Sequence, residues 1–336
     1  MADVAKRAGV TKQTVSNVVR GRSVVGPETR ARVEAAIEAL GYTPNLVARG
    51  LATGTTMTVG FIVPTVANPF YSEVVEEVET LLEERGYHLL LATTRGDQAR
   101  ARRHLATLSD RSVDALLVAG DTNLDLAEMP SPLGKASLPL VLCAWEIDPP
   151  ATLPVVTIDY EKAGYLAGRH LRDLGHRNAV VIADLPAHRI RVDGLRRAFA
   201  EDGIELPAET VFTAPSATPQ SGYEAAVRTL RDLHPLGRTT AVFTSTDAIA
   251  LGVMEVVRHY GLRVPEDVSV IGIDDIPQAA HAHPSLSTVA LPKRRMAQEA
   301  TGLLIRAITE GQPVAPVLTL LVPEVLRRAS TAQSSA

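Results

Sequence analysis

From Thr58 onward the chain keeps one texture: a short run of branched aliphatic residues, a turn, then a longer amphipathic segment. The runs TVGFIVP, YHLLLAT, DALLVAG and LPLVLCA alternate with helix-period segments at 69–85 and 97–109. VVTIDY, NAVVIAD, TAVFTST and VSVIGIDD follow, with helix-period segments at 161–174, 188–202, 220–233 and 247–260. Continuous apolar runs suit strands covered on both faces, and strands interleaved with helices imply mostly parallel sheets. Two such series in succession predict a two-lobed α/β core, each lobe a doubly wound, mostly parallel sheet. STVAL, a helix over 292–309 and VLTLLVPEVLRR remain, too little for a third domain, so they are expected to complete the two lobes. The lobes are drawn as 57–154 plus 286–316 and 155–285 plus 317–328, with a polar tail at 329–336. Aromatic residues are only 4% of the chain, so these cores must be built from Val, Leu, Ile and Ala. The apolar runs are far too short to span a bilayer, so no membrane partner is expected.

The first 42 residues read differently, as a small all-α unit of three short helices. Val4, Ala5 and Ala8 share one face, Gly9-Val10 makes a turn, and Thr11 can cap a second helix. That helix has Val15, Val18 and Val19 on its apolar side, at i, i+3 and i+4. Pro27 suits the first position of a third helix, with Val33, Ile37 and Leu40 inward and Gly41 as its stop. Burying the valines leaves Lys12, Gln13, Ser16, Asn17 and Arg20 on one outward stripe. Gln and Asn can pair with adenine edges in the major groove, Lys can reach guanine, and Ser and Thr can hold phosphates. A helix-turn-helix presents such a face to the groove. On the residues alone, an ordinary three-helix subdomain with a solvated face remains open. Charge favours the first reading. Residues 1–53 carry eight basic and four acidic side chains, against a net charge of −4 for the whole chain, so the body is strongly acidic.

Enzymatic signatures are missing. No G-x-G-x-x-G follows the first strand, and no P-loop or G-x-S-x-G occurs. His88, His104, His170 and His176 lack metal-ligand spacing, and HAHP at 281–284 reads as a solvated loop, so neither a metal nor a cofactor is expected. The single cysteine, Cys143, allows no intrachain disulfide and suits a reducing compartment. MADVAKRAGV lacks the apolar core of a secretory signal, so a cytoplasmic protein is expected. A secreted solute-binding protein would share a two-lobed fold but needs a signal and no basic head.

DVAKRAGVTKQTVSNVVRG, then VGPETRARVEAAIEALGYTPNLVARGLATG, resembles the head of the LacI/GalR family of bacterial transcription repressors. The similarity runs on through TVGFIVPTVANPFYSEVVEEVE, GYLAGRHLRDLGHR, FTSTDAIALGVMEVVRHYGLRVPEDVSVIGIDDI and HPSLSTVALP, nearly the whole chain. The resemblance implies a helix-turn-helix domain at 1–42, a hinge helix within 43–56 and, at 57–330, a periplasmic-binding-protein-like core that binds effector and dimerises. It implies that Lys12, Gln13 and Asn17 read bases while Thr11, Thr14 and Ser16 hold phosphates, with Arg20, Asn45 and Arg49 as further DNA contacts. Leu51 matches a leucine wedged into a central minor-groove step, where such wedges kink the duplex. Gly50 departs from a good helix former by about 1 kcal/mol. The chain also starts a few residues nearer the first helix than relatives usually do.

In the core, the resemblance implies an effector held between the lobes by Phe70, Tyr71, Trp145, Arg191, Thr246 and Asp274. Of Phe70 and Tyr71, one is expected in the cleft and the other in the core. Asp275 is expected to brace the following loop, and Asp247 to cap its helix. Ala217 stands where an aromatic is common and Cys143 where an aspartate is frequent, which leaves Trp145 to supply the stacking face. The implied function is non-enzymatic: repression by a homodimer on a pseudo-palindromic double-stranded operator, controlled by a small molecule, a sugar or sugar derivative. The tail lacks heptads, which predicts a dimer rather than a tetramer.

Overall fold

The structure is a computed structural model that describes residues 1–19, 24–42, 55–109, 113–120, 138–146, 148–233 and 241–334. It divides into two compact units, residues 1–57 and 58–336. The hinge expected within 43–56 therefore lies largely outside the described residues, as do Arg20, Asn45, Arg49 and Leu51.

The first unit holds α1 (Ala2–Ala8), α2 (Lys12–Val19) and α3 (Pro27–Ala39). Gly9 closes α1 at φ +63°, a left-handed turn suited to glycine, and its amide returns to the carbonyls of Ala5 and Lys6. Thr11 caps α2: its Oγ1 accepts the Thr14 amide at 3.1 Å. Val4, Ala5, Ala8, Val15, Val18, Val33 and Ala36 form the core, with Val10, Val19, Val25, Ile37 and Tyr42 packed around it. Leu40 departs from expectation. It is 41% exposed, because α3 ends at Ala39 and Leu40 serves as the C-cap. Ala36 takes the inward place instead.

Among the described residues, the second unit contains two six-stranded sheets. In the first, β1 (Thr58–Val63), β2 (His88–Thr93), β3 (Ala115–Ala119), β4 (Leu140–Cys143), β5 (Val155–Ile158) and β11 (Leu318–Leu321) lie in the order β11-β5-β4-β3-β1-β2. In the second, β6 (Val180–Asp184), β7 (Val211–Ala214), β8 (Ala241–Thr244), β9 (Ser269–Asp274), β10 (Ser287–Ala290) and β12 (Glu324–Leu326) lie in the order β12-β10-β9-β8-β6-β7. All pairings are parallel except β10 with β12. Connections are made by α4 (Pro69–Glu83), α5 (Gln98–Ser109), α6 (Tyr160–Asp173), α7 (Arg189–Ala200), α8 (Pro219–Leu233), α9 (Asp247–His259), α10 (Pro277–His281) and α11 (Lys293–Glu310). Strands β1, β3, β4, β6, β8 and β9 are buried almost throughout, as their continuous apolar runs require. The YHLLLAT run behaves differently. It forms the edge strand β2, and Leu90 and Leu91 are exposed.

The expected lobe boundaries need correction at three strands. β5, expected in the second lobe from 155 onward, pairs with β4 in the first sheet. β10, expected in the first lobe within 286–316, pairs with β9 in the second. β11, expected with the second lobe from 317, pairs with β5 in the first. The chain crosses between sheets after β5, after β10 and again between β11 and β12. A periodic pattern identifies a strand but carries no mark of the partner it will pair with.

Candidate functional site

In parallel α/β sheets, ligands bind beyond the carboxyl ends of the strands. Here the loops leaving β1, β3, β4, β6, β7, β8 and β9 meet around a cavity of about 820 Å³. The six residues expected to hold effector, Phe70, Tyr71, Trp145, Arg191, Thr246 and Asp274, all line it. Ala217, at the place where an aromatic is common, lines it too.

The loop after β1 runs into α4, where Asn68 caps the helix by accepting the Phe70 amide at 3.0 Å. That cap fixes the two aromatics that follow. Phe70 is buried and Tyr71 half-buried, their rings edge to face at 5.1 Å. Phe70 is a buried member of the hydrophobic core, and Tyr71 packs against that core half-buried; both also line the cavity. After β3, Gly120 lets the next strand approach: a Cβ there would lie 2.6 Å from the Ala144 carbonyl oxygen and 2.7 Å from Cα of Trp145. This seats Trp145 and Glu146 against the cavity. Trp145 is further fixed by its carbonyl, which accepts the Thr157 hydroxyl at 2.7 Å. Cys143 is buried in β4 and does not line the cavity, and burial raises its thiol pKa.

Arg191 is the centre of the site. It lies in the first turn of α7 and is only 3% exposed. α7 packs on α6 through two glycines: a Cβ at Gly164 would fall 1.7 Å from the Arg191 carbonyl oxygen, and one at Gly194 1.9 Å from that of Glu161. This close approach sets where the arginine side chain begins. The guanidinium stands over the Tyr160 ring, 4.7 Å from its centroid. Nη1 donates to the Ser245 carbonyl at 2.6 Å and to Asp274 Oδ1 at 3.3 Å. Nε donates to Glu146 Oε2 at 3.0 Å, and Nη2 donates to Glu146 Oε1. Burial would lower the guanidinium pKa, but Glu146 and Asp274 more than offset this and the group stays charged. Sequence reasoning missed Glu146. In the chain it is one of two acids in a loop, with Asp148, and only the fold shows that it crosses from the first sheet to an arginine of the second.

The carboxylates respond to burial. Asp274 is pushed up to about 7, mainly by burial, while Arg191 and Lys293 oppose the rise. Burial also raises Glu146, opposed by Arg191. His188, which N-caps α7, is held well below the usual histidine range by burial and by Arg191, so it is neutral. Its Nδ1 lies 2.9 Å from Ser245 Oγ. Asp274 and Asp275 adopt φ of +122° and +54°, strained for non-glycine residues. Their neighbours over-determine this turn: Arg328 donates to Asp275 Oδ1 at 2.6 Å, and Lys293 Nζ donates to the Asp275 carbonyl at 2.7 Å. Asp275 thus braces its loop, as expected.

Asp247 corrects an expectation. The α9 cap is Thr246, whose Oγ1 accepts the Ile249 amide at 3.3 Å. Asp247 is buried and instead accepts the Ile276 amide at 3.0 Å and the Thr288 hydroxyl at 2.6 Å, tying β10 and the loop after β9 to α9. Thr246 does line the cavity, but its hydroxyl already serves as the helix cap.

In the first unit, Thr11, Lys12 and Gln13 are exposed, and Thr14, Ser16 and Asn17 half-buried, along one side of α2. Gln13 Nε2 donates to Asn17 Oδ1 at 3.3 Å, so the two amides form one polar surface.

The comparisons match both units. Residues 1–45 match the "Bacterial regulatory proteins, lacI family" description, and residues 168–331 match "Periplasmic binding protein-like domain". Over 98% of its length the chain is 36% identical to the HTH-type transcriptional repressor PurR of Aliivibrio fischeri (strain MJ11), covering 97% of that protein. The chain belongs to the LacI family. This LacI-family repressor is also similar to the lac repressor dimer bound to operator and the anti-inducer ONPF (25% identity, TM-score 0.84, 98% of each chain covered). It resembles the transcriptional regulator CelR in its cellobiose complex too (32% identity, TM-score 0.72, 98% of each chain). It is thus a transcriptional repressor with a ligand-binding core, and not an enzyme. No helix among its described residues is long and apolar enough to cross a membrane.

Proposed function

We propose that this LacI-family repressor works in the cytoplasm as a homodimer on a pseudo-palindromic operator, and that a sugar or sugar derivative in the core cavity sets its operator affinity. The observation that carries this reading is the convergence of Phe70, Tyr71, Trp145, Arg191, Thr246 and Asp274 on one cavity at the carboxyl ends of both sheets. Trp145, Phe70 and Tyr71 offer apolar ring faces for a pyranose, and Asp274 and Arg191 supply an acceptor and a donor for its hydroxyls. The cellobiose complex of CelR supports a sugar in such a cavity.

On the DNA side, Lys12, Gln13 and Asn17 read base edges, while Thr11, Thr14, Ser16 and Arg20 hold the backbone. Asn45 and Arg49 add contacts from the hinge, and Leu51 wedges a central minor-groove step. One head offers few contacts. Dimerisation joins two at high effective concentration, and the lac repressor dimer bound to operator supports that arrangement.

A thermal-shift panel tests the ligand half. D-ribose, D-glucose, D-galactose and cellobiose are applied to the wild type and to Asp274→Asn. At least one should raise the wild-type Tm and shift the variant less. Equal shifts in both proteins, or none in the wild type with any sugar, would overturn the carbohydrate assignment.

A further inference from the structure

The geometry points to Glu146 as the residue that sets the charge class of the effector: by filling the fork of Arg191 with the chain's own carboxylate, it reserves the cavity for uncharged or cationic polyhydroxyl ligands and turns away sugar acids and sugar phosphates. This rests on the cavity being the effector site.

An arginine presents Nε and one terminal nitrogen as a planar pair of donors that matches a carboxylate or a phosphate. In Arg191 both members of that edge donate to Glu146, at the end of the first sheet. The other terminal nitrogen donates to the Ser245 carbonyl and to Asp274 Oδ1. Four of the five N–H bonds are thus committed, and the fifth cannot form a bidentate pair alone. An incoming anion could take the fork only by evicting Glu146. Eviction would leave a largely buried carboxylate without its partner, which is unfavourable.

Two further features point the same way. Asp274 Oδ2 is buried and accepts no hydrogen bond among the described residues. A hydroxyl or ammonium group can donate to it, whereas a carboxylate or fully ionised phosphate cannot. Among the described residues, the cavity is also lined by four carboxylates, Glu146, Asp148, Asp184 and Asp274, against two guanidiniums, Arg95 and Arg191, with Lys293 acting on Asp274 from outside the lining. With His188 neutral, the lining repels a second negative charge. A neutral sugar or an amino sugar can instead donate to Asp274 and to the outer lone pairs of Glu146 while the ion pair stays intact.

The test uses the full chain and small anions that probe the fork itself. Wild type, Glu146→Ala, Glu146→Gln and the double variant Glu146→Ala/Arg191→Met are melted at pH 8 in sodium acetate or sodium gluconate, each against sodium chloride at equal ionic strength. Acetate and gluconate should stabilise Glu146→Ala at concentrations at least tenfold lower than any that affect the wild type. Glu146→Gln should gain less, because its side-chain oxygen still accepts from the fork, and the double variant should gain nothing. If Glu146→Ala fails to fold, the gain of Glu146→Gln over wild type decides. Wild type that responds to gluconate as strongly as the variant, or variants that respond no better than wild type, would overturn the inference. Acetate reports on the fork whether or not any sugar moves operator affinity, so this inference and the proposed function fail separately.

Discussion

Arg191→Met removes the one cation that Glu146 and Asp274 share while keeping most of the side-chain volume. Its cost can be worked out from the two carboxylates. Glu146 has an ordinary value of 4.5 and is already raised by burial with the arginine present. Without Arg191 it must bind a proton or remain charged and unpaired. Holding that proton costs the native state about 1.4 kcal/mol for each pH unit above the ordinary value. Between pH 5 and pH 8 this amounts to about 4 kcal/mol, which falls within the roughly 3–5 kcal/mol found when one partner of a buried ion pair is removed. A carboxylate with a raised native pKa stabilises the protein at low pH, and that stability is lost as pH rises toward the native value. Asp274, already raised to about 7 in the wild type, adds only through its further rise once Arg191 is gone, which acts in the same direction above pH 7. The variant should therefore lie within about 1–2 kcal/mol of wild type at pH 5 and fall further behind as pH rises to 8, by at most about 4 kcal/mol, since the raised Glu146 of the wild type already bears part of that cost. Urea unfolding followed by fluorescence reads this directly, because Trp145 is the only tryptophan and lines the cavity. A stability difference that stays constant from pH 5 to pH 8 would refute the buried triad of Glu146, Arg191 and Asp274.

Gly164→Ala should act through geometry: a Cβ 1.7 Å from the Arg191 carbonyl must push α6 and α7 apart by more than 1 Å. Such overpacking costs about 1–3 kcal/mol, and Trp145 fluorescence should shift with the cavity; an unchanged melt and spectrum would contradict the close approach. Val15→Ala in the head, where Val15 is fully buried, should cost about 2 kcal/mol of a small domain's few. Operator binding in an anisotropy assay should then weaken severely while the core melts as before; loss of the core transition too would contradict the division into two units. Asn17→Ala should relax base preference by about 1–3 kcal/mol at one operator position, and an equal loss on every sequence would reduce Asn17 to a backbone contact. Leu51→Ala should weaken operator binding and leave sugar-induced thermal shifts intact; unchanged operator affinity would remove the wedge.

Much of the architecture is legible before any coordinates. The unbroken apolar runs of β1, β3, β4, β6, β8 and β9 declare strands covered on both faces, and the i, i+3, i+4 valines of α2 declare which side of the head faces out. The residues proposed to hold effector are legible through the resemblance to the LacI/GalR family that ANPFY, RIRVDG and VIGIDD help to carry. What escaped was long-range. β5, β10 and β11 exchange sheets because pairing depends on strands far along the chain. Glu146 escaped for a related reason: its partner stands 45 positions away, on a helix of the other sheet, and no local pattern joins the two. Asp247 misled because an acid at a helix start usually caps, whereas here Thr246 caps and Asp247 satisfies Ile276 and Thr288.

The cavity around Arg191 is proposed to govern the grip of α2 on DNA. Operator affinity, measured by fluorescence anisotropy at fixed salt with and without the sugar giving the largest thermal shift, tests it most directly. A change of about 5- to 150-fold is expected in the wild type, and a much smaller one in Asp274→Asn at matched sugar occupancy. A sugar that saturates the cavity and leaves operator affinity unchanged would contradict it.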